Sequence, residues 1–142
     1  MKIIRTGSAV WSGGLKDGKG SISTESGAIS AHPYGFASRF EGKKGTNPEE
    51  LLGAAHAGCF TMALSLILSN AGYTADQMDT TAKVTLEQVE GGYAITAIHL
   101  NLKASIPGVS QDEFAELAAT AKANCPVSKV LNADITLEAT LV

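Results

Sequence analysis

The chain has 142 residues, 44% hydrophobic and 18% charged, which suits one globular domain over residues 1–142. Lys and Arg number 11 against 14 Asp and Glu, scattered along the chain, for a formal net charge of −3; this offers no basic footprint for nucleic acid. The opening MKIIRTGSAVW lacks the apolar core and cleavage pattern of a signal peptide, so a cytoplasmic protein is expected.

Residues 2–25 read as strand, glycine turn, strand, with Gly13, Gly14, Gly18 and Gly20 around Lys16 and Asp17. SGAISAHPYG, residues 26–35, reads as a loop. Phe36 to Glu41 alternates and predicts a short third strand, Phe36, Ser38 and Phe40 on one face and Arg39 on the other. Gly42 to Gly45 is a basic turn.

The longest apolar run follows, from Thr46 to Gly72. Asn47 is placed to cap a helix, Pro48 suits its first position, and Glu50 completes a capping-box arrangement. Gly72 suits the left-handed turn at the far end. Leu51, Leu52, Ala55, Phe60, Met62, Leu64, Leu66, Ile67 and Leu68 fall on no single stripe, so this helix is expected to be buried on every side. A membrane span fits less well, because Gly53, His56, Gly58, Thr61, Ser65 and Ser69 interrupt the run. So small a chain has little cover for such a helix, which points to a second subunit.

Thr80 to Val89 and Tyr93 to Ile106 form a hairpin around Glu90-Gly91-Gly92. Ser110 and Glu113 start a second helix with Phe114, Leu117, Ala118 and Ala121 on its apolar face, ending near Asn124. Pro126 opens a short helical turn, and ADITLEATLV alternates as a final strand. The order is βββ-α-ββ-α-β, an α+β fold with antiparallel sheets around a long central helix.

Two cysteines in a reducing compartment read as free, metal-bound or redox-active rather than as a structural staple. Cys59 lies in the middle of the central helix. It is either a small buried hydrophobe or a nucleophile, and a buried thiol needs a nearby cation or donor to ionise. Cys125 precedes Pro126 at an N-cap position, where N–H groups and the helix dipole favour thiolate. Arg39, among Phe36 and Phe40, is the best candidate cation, either as a surface residue or as a fixed charge in a pocket. Glu49 can pair with it, or simply complement the helix dipole, since Glu50 is better placed for the cap. His56, one turn before Cys59, suggests a base or a metal ligand, but the chain has no CxxC or HxxxH spacing. His32 and His99 read as loop and strand residues. Phe36, Phe40, Phe60, Met62 and Met78 are either core or the lining of an apolar pocket.

TNPEELLGAAHAGCF, the preceding PYGF-x-x-RFEG and the distant NCPVSKVL together resemble the OsmC/Ohr family, that is, osmotically inducible protein C and organic hydroperoxide resistance protein. The likeness covers essentially the whole chain, and FASRFEGKKGTNPEE is closer to the OsmC branch. It implies a thiol peroxidase that reduces organic hydroperoxides. It also implies an intertwined homodimer with its two central helices packed together. By motif position, Cys59 matches the peroxidatic cysteine, Cys125 the resolving cysteine, Glu49 the acid of TNPE and Arg39 the OsmC-type arginine. The implied cycle runs through a Cys59 sulfenic acid and a Cys59–Cys125 disulfide that an external dithiol reduces, with no metal or organic cofactor.

A thiol-based redox sensor and a non-catalytic binding module are the rival readings. Glu49 and Cys59 are 59 − 49 = 10 residues apart on the same helix, about 15 Å along its axis, so antiparallel packing of two such helices would let Glu49, and with it Arg39, serve the partner's Cys59.

Overall fold

The computed structural model describes residues 1–142. Its longest element is the expected central helix, α2, Pro48–Asn70. The start forms as the residues dictate. The Asn47 side-chain oxygen accepts from the Glu50 backbone N–H at 2.8 Å, and the Asn47 amide donates to the Glu50 carboxylate at 2.8 Å. At the other end Gly72 has φ +87°, and the Tyr73 N–H reaches back to the Leu68 carbonyl at 2.8 Å.

The chain folds as two compact units, Met1–Leu51 and Leu52–Val142. In the first, β1 (Gly7–Ser12), β2 (Lys19–Thr24) and β3 (His32–Tyr34) form an antiparallel sheet in that order. The third strand thus lies in the segment expected to be a loop. The segment expected to be the third strand is a short helix, α1, Phe36–Phe40. The physical reason is a spacing that both structures satisfy. Phe36 and Phe40 alternate with period two, yet they are also i and i+4 on a helix, where their rings meet at 5.0 Å. Ser38 decides for the helix by accepting from the Gly35 N–H at 2.9 Å.

In the second unit, β4 (Gln77–Val89) and β5 (Gly92–Ser105) form a long antiparallel hairpin with an irregularity between Thr85 and Leu86. Two helices follow, α3 (Gln111–Asn124) and α4 (Pro126–Val130), and then β6 (Asp134–Leu141). The second sheet is ordered β4-β5-β6, and β6 pairs with β5 in parallel, which corrects the expectation of purely antiparallel sheets. A crossover through two helices brings the chain back to the end from which β5 began, and that sets the direction.

The core of this unit is Phe60, Leu64 and Leu68 of α2, Leu100, Leu102 and Ala104 of β5, and Phe114, Ala118 and Ala121 of α3. Each inward-facing set follows its own period, four or three residues on the helices and two on the strand. At Gly53 α2 runs close against the sheet: a Cβ there would lie 3.1 Å from the Ala82 carbonyl oxygen.

The central helix is not buried all round within one chain. Its buried stripe is Glu49, Gly53, His56, Phe60, Leu64 and Leu68, while Met62 and Leu66 on another face are 76% and 63% exposed. The helix is long and apolar enough to cross a membrane by length and composition. Phe60, Leu64 and Leu68 pack it on β5 and α3, and His56 is buried on the same stripe.

Candidate active site

The four residues singled out in the sequence come together as two pairs, one in each compact unit. Arg39 follows Phe36 on α1 and Glu49 sits in the first turn of α2. The Arg39 Nη2 donates to Glu49 Oε1 at 2.8 Å and its Nε donates to the same oxygen at 3.1 Å. The carboxylate is almost wholly buried, its side chain 11% exposed, while the guanidinium side chain is 37% exposed. Two charge-assisted bonds hold the fork in one orientation. The guanidinium carbon also stands 5.4 Å from the Phe40 ring centre.

Beside Arg39 is a cleft of about 280 Å³ lined by Trp11, Leu15, Tyr34, Phe36, Arg39 and Phe40. Trp11 and Tyr34 meet with ring centres 5.4 Å apart. Gly20 permits that contact, since a Cβ there would sit 2.4 Å from the Tyr34 ring and 2.6 Å from the Trp11 ring. Of the two roles open to them, core or pocket lining, Phe36 and Phe40 take the second, together with Trp11, Leu15 and Tyr34, which the sequence reading missed. The Gly-rich turn that folds Trp11 over Gly20 was the available signal.

In the second unit α2 presents Cys59, half-buried, to Cys125, which is fully buried at the junction of α3 and α4. Both thiols are free, and they lie near enough to shift each other's ionisation. Burial pushes the Cys59 thiol above its ordinary range, and the neighbouring Cys125 thiol pushes it further, against a weaker pull from the Val127 N–H. Burial acts on Cys125 in the same sense. There it is outweighed by the Cys59 thiol, by the N–H and hydroxyl of Ser128 and by the Val127 N–H, which hold Cys125 below the usual thiol range. Within one chain the negative charge is thus favoured on Cys125, the N-cap residue of α4. Val127 and Ser128 were not singled out in the sequence. Their position just after Cys125-Pro126, where a helix begins, was the signal.

A second cleft, of about 440 Å³, opens beside Cys59 between Met62, Ala63, Leu66 and Ile67 of α2 and Asn124 and Pro126. Of the expected pocket residues, Met62 lines it, Phe60 is fully buried in the core, and Met78 packs against that core. His56 is fully buried, its Nε2 2.7 Å from the Ser128 Oγ. Burial keeps the imidazole below its usual range and therefore neutral. No group of three or more His, Cys, Asp and Glu side chains is arranged to hold a metal ion.

The family described as OsmC-like protein matches residues 41–140. The chain is 55% identical to the peroxiredoxin OsmC of Escherichia coli K12 over 138 residues, 97% of this chain and 96% of the relative. It is 36% identical to the organic hydroperoxide resistance protein OhrA of Bacillus subtilis over 100 residues, 68% of each chain. Among solved structures, an organic hydroperoxide resistance protein from Elizabethkingia anophelis superposes with a TM-score of 0.73 at 28% identity, covering 100% of both chains. The fold, the cysteine pair and these matches lead to one assignment: the chain belongs to the OsmC-like family.

Proposed function

We propose that the protein is a cysteine-based peroxidase that reduces organic hydroperoxides to alcohols. The observation that carries this reading is the thiol pair, Cys59 beside Cys125, brought together from 125 − 59 = 66 residues apart in the sequence. A full-length relative at 55% identity bears the name peroxiredoxin, and other relatives are named for organic hydroperoxide resistance.

The chemistry then runs as follows. The Cys59 thiolate attacks the outer peroxide oxygen, forming an S–O bond as the O–O bond breaks. The alkoxide takes a proton and leaves as alcohol, and Cys59 becomes a sulfenic acid. The Cys125 thiolate attacks that sulfur, the S–O bond breaks, and hydroxide leaves as water with the proton that Cys125 gave up. An external dithiol then reduces the disulfide by exchange. The cycle uses no metal or organic cofactor, and neither nucleic acid nor membrane takes part. The site of action is the cytoplasm.

One requirement is unmet within a single thiol pair. Cys59 is the thiol that burial and Cys125 push up, so its ionisation calls for a cation from elsewhere. Arg39, fixed by Glu49, is the fitting candidate, and its aromatic cleft suits the organic part of a hydroperoxide. We assign both residues to Cys59 of a partner subunit in an intertwined homodimer. The exposed apolar stripe of α2, with Met62 and Leu66, is the surface that such a dimer would cover.

The test is steady-state peroxidase activity with a dithiol, comparing cumene hydroperoxide and hydrogen peroxide. Burial of an aryl group at about 25 cal/mol per Å² favours the organic substrate in kcat/KM. Absence of turnover with every peroxide, or equal kcat/KM for the two, would count against the reading. A redox sensor, by contrast, would oxidise once without rapid turnover.

A further inference from the structure

His56 takes no part in the cycle just described, yet it is one of the few fully buried polar side chains in the chain. Its Nε2 lies 2.7 Å from the Ser128 Oγ, while its Nδ1 is buried and has no hydrogen-bond partner. Ser128 stands in the first turn of α4, three residues after the N-cap Cys125, with its hydroxyl near enough to the Cys125 sulfur to favour the thiolate. The three side chains form a line from α2 into the thiol pair: His56, Ser128, Cys125.

The direction of the bonds along that line follows from counting hydrogens. A serine hydroxyl has one hydrogen to donate. If His56 carries its proton on Nδ1, Nε2 can only accept, and it takes Ser128's single hydrogen away from the sulfur. A polar N–H is then also left buried and unpaired, which native structures rarely tolerate. If the proton is on Nε2, His56 donates to Ser128 Oγ, and the hydroxyl hydrogen is free for Cys125.

We propose that His56, as the Nε2–H tautomer, is a positioning residue for the resolving step: it turns the Ser128 hydroxyl so that its one hydrogen bonds the Cys125 sulfur. The proposal rests on the reading of Cys125 as the resolving cysteine. In that step the S–S bond forms as the S–O bond of the Cys59 sulfenic acid breaks. Cys125 is oxidised, Cys59 sulfur is reduced, and the departing hydroxide takes up the thiol proton as water. His56 keeps its proton throughout, so it acts only by aiming the hydroxyl. A hydrogen bond to a charged acceptor carries about a tenfold effect or more, and the thiolate population of Cys125 falls by that factor when the bond is lost.

The experiment follows disulfide formation after a peroxide pulse in the wild type, Ser128→Ala, His56→Leu, His56→Gln and the Ser128→Ala/His56→Leu double variant. Mass spectrometry counts disulfide and over-oxidised Cys59. The expected result is first oxidation of Cys59 at the wild-type rate and disulfide formation slowed about tenfold in Ser128→Ala and His56→Leu. The double variant should be no slower than either single. His56→Gln, which keeps a donor near the Nε2 position, should recover most of the rate. Nitrogen-15 NMR of the wild-type imidazole should show the proton on Nε2. A proton on Nδ1, an unchanged rate in Ser128→Ala, or additive losses in the double variant would overturn the proposal, and the NMR result does not depend on any variant folding. Cys125→Ser separates the premise from the inference. If Cys59 in that variant is still protected from over-oxidation, the resolving role of Cys125 fails and the proposal with it. If protection is lost there but intact in Ser128→Ala, only the role of His56 and Ser128 fails.

Discussion

Subunit sharing of the active site can be tested by mixing two chains, each impaired at a different residue. Glu49→Ala removes the carboxylate that holds Arg39 through bonds of 2.8 and 3.1 Å. Losing hydrogen bonds between charged partners costs about 1.5–3 kcal/mol, so the variant alone should keep about 1–10% of activity. Cys59→Ser alone should have none, since it lacks the sulfur that attacks peroxide. When equal amounts are mixed and subunits exchange at random, about half of the dimers are mixed. If sites are built across the dimer, each mixed dimer has one site with Cys59 from one chain and Glu49 from the other, both intact. Its second site has neither. One good site in two, in half of the dimers, restores about a quarter of wild-type activity. If each chain builds its own site, no mixed dimer holds an intact site and the mixture stays near the level of its parents. The assay is peroxidase turnover before and after exchange, with exchange verified by mass spectrometry of differently tagged chains. Proven exchange without recovery would refute the shared site.

The chemistry and the packing yield three further expectations. Cys59→Ser abolishes turnover, whereas Cys125→Ser reacts once and then accumulates sulfenic or over-oxidised Cys59 by mass spectrometry; multiple turnover by Cys59→Ser would remove the assignment. Arg39→Ala takes away the counter-charge for a thiol that burial already pushes up. Thiolate is then lost at neutral pH and regained as pH rises, so the rate should drop and recover in alkali, and an unchanged pH–rate profile would take Arg39 out of the site. Gly53→Ala should lower stability by about 1–3 kcal/mol in urea unfolding, against the gain that alanine brings to an open helix position. Its Cβ would meet the Ala82 carbonyl oxygen at 3.1 Å, on a strand fixed by its pairing with β5. A more stable variant would show that the helix and sheet can part there without cost.

Local patterns in the sequence were enough for the parts of this protein that depend on near neighbours. Asn47, Pro48 and Glu50 marked the start of α2 and Gly72 its end, because capping needs only residues three or four apart. The motifs around Glu49, Cys59 and Cys125 carried the family. Where a spacing suits two structures, the sequence was silent or misleading. Phe36 and Phe40 satisfy a strand and a helix alike, and the bond from Gly35 to Ser38 chose the helix. The alternation of β6 is the same in either direction, so its parallel pairing came from the crossover through α3 and α4. Likewise, apolar residues all round α2 said nothing of which stripe faces its own core. Packing against β5 and α3 selected Phe60, Leu64 and Leu68 and left Met62 and Leu66 outside. The nearness of Cys59 to Cys125, which only the family resemblance had implied, and the line from His56 through Ser128 to that pair join residues 125 − 59 = 66 and 128 − 56 = 72 apart. Contacts over such separations depend on how the core closes, and no local pattern encodes them.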